Sequence, residues 1–519
     1  MVNKLQTTRN FCAMEEMKSL MEMLVSQSLR YWASAKPDAI AVVDGHTGES
    51  LTYAALDQAT DTLAWHLDHM GVGATEVVAF AMTEKIPVIT LLLALAKIGA
   101  AWTPLNPHAP SRDWFHQVHH AQAKSLVYDD PALISRLSED CGGSWPPNWS
   151  WRILSLSDSP RSPLPFVRDV PSRQKAGILY TSGTTGVPKG AWHTHESLWG
   201  WNHCLLQSLG MHQDDCLINP YPLFHMGGIG FTLASLQAGS TVVLETPFDA
   251  EHFTSSITRF HATIALMVPT MVQALLDLGP HWHLQIAKSP LRQLVTTSAP
   301  LMTETRHAIE KTWPNLMVSV LYSATEAIFT VLRHEKSDAH LCVGRVAFGT
   351  ELLILGSDQT PCAVGQPGTI YARGLSVFAG YHRSPDQFGS WYANWFTCKD
   401  IGYQDRDGYL YLVDREKDLI NSGGEKISSL EIENILRLHP GVKEAAVVGI
   451  PDRYWGERIH AVVVRRSEDI SEHQLLTFAR QHLTAFKVPK SVTFTDNLPK
   501  TDTGKILKRA LRDAESGET

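Results

Sequence analysis

The chain has 519 residues, of which 44% are hydrophobic and 19% charged, and a formal net charge of −8. This length exceeds what one hydrophobic core usually organises, so two or more domains are expected in an ordinary globular enzyme. The acidic balance excludes a general nucleic-acid binder, which would show a basic domain or stripe, and gives no reason for attachment to anionic membrane.

In chain order, residues 50–57 read as a strand end running into a helix whose apolar positions continue through Leu63, Leu67 and Met70. Residues 77–81 form a short apolar strand, and 86–98 a buried helix ending at Gly99. Apolar runs at 124–128, 177–180, 241–244 and 265–268 have the texture of interior strands in a largely parallel sheet. Residues 142–148 and 155–172 are rich in Ser, Pro and Gly and read as surface loops.

After about residue 405 the texture changes. A strand arm at 408–414 runs into the charged stretch Asp414–Asp418. Beyond it, a helix at 429–438, strands at 444–450 and 460–464, and a helix at 471–483 with Ser471 as N-cap make a compact α+β unit. The expected fold is therefore α/β: a large N-terminal multi-sheet domain, 1–414, then a small mobile α+β C-terminal domain, 415–519, hinged near Arg415–Glu416.

Seven cysteines (Cys12, Cys141, Cys204, Cys216, Cys342, Cys362 and Cys398) form no CxxC pair, and an odd, dispersed set suits a reducing compartment. The most apolar run, 87–96, stops at Lys97 and is too short to span a bilayer. Residues 1–10 lack a secretory apolar core, so a cytoplasmic protein with no transmembrane segment is expected. The histidines show no HExxH or similar ligand spacing, and a zinc site is not expected.

The stretch that carries chemistry is Tyr180 to Gly190. A strand ends at Tyr180, and Thr181, Ser182, Gly183, Thr184, Thr185 and Gly186 follow, then Val187, Pro188 and Lys189. Small residues let backbone amides close around phosphate oxygens, the hydroxyls add donors, and Lys189 adds a point charge. This is not a Walker A loop, because Pro188 stands where that motif needs its second glycine.

Further motifs follow in order: Pro222-Leu-Phe-His-Met-Gly-Gly228, Ser298-Ala-Pro-Leu301, Tyr322-Ser-Ala-Thr-Glu326, Trp395-Phe-Thr-Cys-Lys-Asp400, Asp414-Arg-Glu-Lys-Asp418, Ser422-Gly-Gly-Glu-Lys426 and Pro499-Lys-Thr-Asp-Thr-Gly-Lys505. With the loop, this set resembles the adenylate-forming superfamily, which contains acyl-CoA synthetases, peptide-synthetase adenylation domains and firefly-type luciferases. The pattern is closest to the acyl-CoA synthetases and runs over nearly the whole chain.

The resemblance implies a role for each motif. Thr181 and Lys189 would stabilise charge on ATP. Thr325 would contact phosphate and Glu326 would hold Mg2+, which favours one or two protein oxygens beside phosphate oxygens. Tyr322 would stack on adenine, beside Ser298, Ala299 and Ser323, the last standing where glycine is common. Asp400 and Arg415 would bind the ribose, although Cys398 and Lys399 replace the usual Thr-Gly before that aspartate. Lys505 would bridge the carboxylate and the α-phosphate, cancelling the repulsion between two anions. Gly423 and Gly424 would swing in after adenylation and line the path of the CoA pantetheine.

His225, Gly227, Gly228, Met267 and Ala324, with Met226, Val268 and Thr297, are the candidate acid pocket. They are small or apolar and include no counter-charge for an ammonium group, which favours a fatty or aryl acid over an amino acid. The expected activity is ATP-dependent activation of a medium- or long-chain fatty acid, then thioester formation with CoA. Two alternatives keep the same motifs: loading of an acyl or aryl acid onto a carrier-protein thiol in trans, and a non-catalytic nucleotide- or acyl-binding homologue.

Overall fold

Helix Lys85–Ile98 is buried continuously from Leu91 to Ile98. A helix apolar on all sides has to be covered on all sides, and this one lies inside the largest core cluster of the protein. It stops at Gly99, whose φ of 82° is the left-handed conformation that closes a helix end. The one charge within its buried half, Lys97, is met by Asp57 at 2.6 Å, Asp61 at 2.7 Å and the Thr60 hydroxyl at 2.6 Å. The computed structural model describes residues 24–133, 135, 152–155, 165–181, 188–333, 341–384, 389–466, 470–501 and 504–516.

Three sheets organise these residues. In the seven-stranded sheet, Val77–Ala81 is flanked in parallel by Ala101–Pro104 and Ser125–Tyr128, and Lys175–Thr181 follows Ala101–Pro104. In the fifteen-stranded sheet, Thr241–Leu244, Cys216–Asn219, Ile264–Met267, Gln293–Thr296 and Met317–Ala324 run parallel. From Ala327–Arg333 onward that sheet turns antiparallel. The four apolar runs expected in one sheet thus divide between two. Hydropathy marks a strand as interior but carries no information on which sheet receives it.

Ser155 ends a short strand and residues 165–172 hold no helix or strand, while 142–148 lies outside the described residues. The C-terminal sheet has five strands, with Gly456–Arg465 between Val442–Asp452 and the parallel Ser491–Thr495. Its helices begin where the sequence signals them: the side chains of Ser428 and Ser471 accept from Glu431 and Gln474 backbone N–H groups. The protein is therefore a mixed α/β molecule with a large N-terminal and a smaller C-terminal domain. Among the described residues no helix is long and apolar enough to cross a membrane.

What places the stretch between Thr181 and Lys189 is a hairpin. Strands Lys175–Thr181 and Lys189–Thr194 pair antiparallel, with Thr181 opposite Lys189, so the loop leaves and re-enters at one spot. The first strand is seated by Trp102, only 2% exposed, whose indole occupies the space beside Gly177. A Cβ at Gly177 would fall 2.5 Å from that ring, so only glycine fits. Gly177→Ala is expected to cost about 1–3 kcal/mol in urea denaturation, the price of overpacking a core. Gly73→Ala, with nothing within 4 Å of the new atom, should stay within about 0.5 kcal/mol of the parent.

Candidate active site

Strands Asp400–Gln404 and Leu410–Arg415 pair antiparallel with Asp400 directly opposite Arg415. Cross-strand neighbours interact at short range, and the Arg415 Nε donates to Asp400 Oδ1 at 3.1 Å. The second carboxylate oxygen accepts the Tyr322 hydroxyl at 2.6 Å. Tyr322 stacks on Phe329 with ring centroids 4.7 Å apart, which sets the plane of its ring. Burial, then the Asp400 charge, pushes its phenol well above the ordinary range. Asp400 itself is 6% exposed.

Tyr322, Asp400 and Arg415 line a cavity of about 740 Å³ together with Val268, Thr270, Ser298, Ala299, Ser323, Ala324, Cys398, Gly504 and Lys505. Lys505 arrives from the C-terminal domain on a built turn. The Thr501 N–H donates to the Lys505 carbonyl at 2.8 Å, the Lys505 N–H to the Thr501 hydroxyl at 3.1 Å, and Gly504 N–H to the Thr501 carbonyl at 2.8 Å. Gly504, at φ 75°, faces the Thr270 hydroxyl of the N-terminal domain. Burial, and then Arg415, lower the Lys505 ammonium to about 7, with Asp400 opposing. For Arg415 the balance differs: burial, the largest effect, works against its charge, but Asp400 with Cys398, Asp418 and Tyr322 together hold it more basic than usual.

The turn Thr325–Glu326 joins strands Met317–Ala324 and Ala327–Arg333. Its carboxyl group is buried and accepts the Tyr381 hydroxyl at 2.8 Å. Burial raises the Glu326 pKa, while Tyr381, Arg415 and Lys189 act the other way. A buried carboxyl of raised pKa gains from an incoming cation, so Glu326 fits a metal ligand beside phosphate. Lys189 lies 5.3 Å from the centroid of the Tyr381 ring, which links the start of its strand to Glu326.

His193 holds the turn from behind. Burial lowers its pKa to about 4, so the ring is neutral, and Nε2 lies 2.9 Å from the Thr325 carbonyl, which makes it the donor. Neither Tyr381 nor His193 stands out in the sequence. A tyrosine after glycine and a histidine inside an apolar strand carry no motif.

The other expected residues are distributed as follows. Ser182, Gly183, Thr184, Thr185 and Gly186 lie outside the described residues, whereas Thr181 and Lys189 sit opposite each other at the base of the loop. Ser298 takes φ 72° and its hydroxyl meets the Tyr221 hydroxyl at 3.2 Å. Ser323, in place of glycine, bonds the Thr297 hydroxyl at 3.3 Å. Gly423 and Gly424 form an exposed two-residue hairpin turn, both at positive φ, away from the cavity.

In the expected acid pocket, His225 precedes helix Met226–Ala238. The space beside Gly227 is filled by the Tyr221 ring, and that beside Gly228 by the Pro222 carbonyl. Met267 is fully buried in a core cluster, and its neighbour Val268 faces the cavity.

Lys399 takes φ 63°, with its N–H on the Thr397 hydroxyl at 2.8 Å and its carbonyl accepting from Glu416 at 2.9 Å. This left-handed position explains why glycine suits it. The lysine side chain runs towards Gly389 and does not line the cavity, whereas Cys398 does.

Comparison with known proteins matches residues 29–382 to the AMP-binding enzyme family and 431–505 to the AMP-binding enzyme C-terminal domain. The chain is 33% identical to a feruloyl-CoA synthase of Amycolatopsis sp over 504 residues, covering 94% of this chain and 99% of the relative. It is 30% identical to a 2-succinylbenzoate–CoA ligase of Bacillus licheniformis, covering 93% and 98%. It is also 30% identical to a long-chain-fatty-acid–CoA ligase of Mycobacterium tuberculosis, covering 94% and 98%. The crystal structure of ATP-bound MatB from Rhodopseudomonas palustris superposes with a TM-score of 0.84 at 26% identity, covering 95% of this chain and 99% of that one.

Two outcomes follow from this geometry. Lys399→Gly is expected to raise stability by about 1 kcal/mol, since a left-handed side chain costs about 1–2 kcal/mol, and to leave the KM for ATP within about twofold. If the Lys505 ammonium is the cation the reaction uses, kcat/KM for pyrophosphate exchange should fall as pH rises through about 7. The limb in kcat should lie higher, because bound polyanion favours the protonated amine. A flat kcat/KM profile to about pH 9 would exclude this titration.

Proposed function

The chain belongs to the AMP-binding enzyme family, and we propose that it is an AMP-forming acid–thiol ligase that activates a compact aryl acid and passes it to CoA. The observation that carries this reading is the convergence of Lys505, Arg415, Asp400 and Tyr322 on one cavity from both domains.

In the first half-reaction a carboxylate oxygen attacks the α-phosphorus of ATP, a P–O bond forms, and the bond to the leaving pyrophosphate breaks. Both reactants are anionic, so the barrier is largely electrostatic. Lys505 bridges the carboxylate and the α-phosphate, Asp400 accepts from the ribose hydroxyls, and Arg415 holds the Asp400 carboxylate in place through its Nε. Tyr322 and the 298–299 turn bound the adenine. Thr181 and Lys189, with the loop residues Ser182 to Gly186, hold the β- and γ-phosphates. Glu326 is the residue that would hold Mg2+, which when bound neutralises phosphate charge. Tyr381 and His193 keep the Glu326 turn in place.

In the second half-reaction the CoA thiol attacks the acyl carbonyl, a C–S bond forms and AMP leaves. The C-terminal domain turns about Arg415–Glu416, withdrawing Lys505 and presenting Gly423–Gly424.

A compact acid is supported by what surrounds the expected pocket. Tyr221, Trp201 and Phe231 are each no more than 2% exposed, and Trp201 fills the space beside Gly230. Side chains packed to this density leave no bore for a long alkyl chain on that side. The feruloyl-CoA synthase and 2-succinylbenzoate–CoA ligase relatives support the same reading. A medium- or long-chain fatty acid is the second reading, favoured by the long-chain relative.

Lys505→Ala is expected to lower carboxylate-dependent pyrophosphate exchange by about 10²–10³-fold, the cost of one preorganised charge partner, while thioester formation from supplied acyl-AMP persists. Near-normal exchange would remove Lys505 from the mechanism. An AMP-release screen over cinnamate-type, benzoate-type and C8–C16 alkyl acids, each with CoA or a holo carrier protein, should peak with an aryl acid and CoA. A maximum with C16 acid, or with carrier, would overturn that choice.

A further inference from the structure

The turn after strand Ile40–Asp44, the end of strand Thr241–Leu244 and the first turn of helix Ala250–Arg259 meet. They bring together His46, Glu245 and His252, whose ligand atoms all lie within 4.8 Å of one another. None of the three lines the cavity that holds Lys505. We propose that they form a binding site for one divalent transition-metal cation of the zinc type, which clips the 45–46 turn to the 245–252 segment.

The buried carboxylate is the first reason. The Glu245 side chain is 1% exposed. Its Oε1 accepts from His252 Nδ1 and from the Ser256 hydroxyl, the latter at 3.1 Å. Its Oε2 is buried with no hydrogen-bond partner, and it packs against Gly45, next to His46, with no room for a side chain there. An ionised oxygen withdrawn from water without a partner is costly, and a cation at this point removes the cost.

His46 is prepared in the way ligands usually are. His46 Nε2 lies 3.1 Å from the Pro247 carbonyl and donates to it, which leaves Nδ1 as the lone-pair nitrogen. A ligating histidine typically commits its other nitrogen to a carbonyl or carboxylate in this manner. The turn carrying His46 is built by Asp44, which accepts the His46 N–H at 2.9 Å and the Thr47 N–H at 3.2 Å. Asp44 is itself occupied by Lys85 at 2.8 Å and so is not a fourth ligand. The two imidazoles stack with centroids 4.5 Å apart and planes 6° from parallel. Zn–N bonds of about 2.0–2.1 Å imply ligand separations near 3.3 Å, a closure that a shift of the exposed His46 turn towards the 245–252 segment supplies with the Pro247 hydrogen bond kept.

Two imidazoles and one carboxylate suit zinc and its neighbours. Magnesium and calcium favour all-oxygen shells. Three ligands on a surface leave a position for water.

The test uses the full chain, stripped of metal by chelation and returned to chelator-free buffer. Zn2+ is titrated against a chromophoric competitor, and melting temperature is read with and without it. The parent is expected to take one Zn2+ at this site, at least about ten-fold tighter than His46→Ala, with a Zn2+-dependent rise in melting temperature only in the parent. His46 is exposed, so its removal spares the fold, and AMP release by His46→Ala should equal the parent's. Equal Zn2+ affinity in parent and variant, or no uptake by the parent, overturns the proposal.

Discussion

A lysine ammonium held out of water beside an arginine is the constraint from which the active site follows. Lys505 sits near Arg415, and Asp400 is the carboxylate that faces both. Burial and like charge together pull the amine down to about 7. Such an arrangement favours an incoming anion over the free state, because the anion supplies the partner that water no longer does. The cleft is in this sense charged in advance for a polyphosphate and a carboxylate.

Holding that charge in place takes elements from the whole chain. The strand register sets Asp400 against Arg415, Tyr322 ties Asp400 to the parallel half of the large sheet, and Phe329 fixes Tyr322. Lys505 comes from a turn near the C-terminus that rests on Val268 and Thr270. Each partner lies on a different element, so the site exists only when both domains meet. The same dependence makes it separable: moving the turn that carries Lys505 removes that cation and leaves the Asp400, Arg415 and Tyr322 contacts whole.

Much of this is legible in the sequence. Helix 86–98 could be read because a run of apolar residues ended by glycine has one good solution, and Ser471 could be read as a cap because its hydroxyl competes for helix N–H groups. Lys505, Asp400 and Glu326 were legible because they stand in ordered motifs. Lys399 was legible as a departure but not in its consequence: its backbone turns left-handed and its side chain leaves the cavity. Gly227 and Gly228 read as room for substrate, whereas Tyr221 and Pro222 occupy that room.

Local order along the chain therefore determined the helices, the strands, the two-domain plan and the motif residues, since these depend on periodicity, caps and spacing that neighbours carry. Tertiary structure alone decided how strands divide between sheets, that Tyr381 and His193 support Glu326, and that His46, Glu245 and His252 converge. Residues 46 and 245 come together through parallel pairing of two strands far apart in the chain. Contacts of that kind arise from packing of whole elements, and no spacing rule along the sequence encodes them.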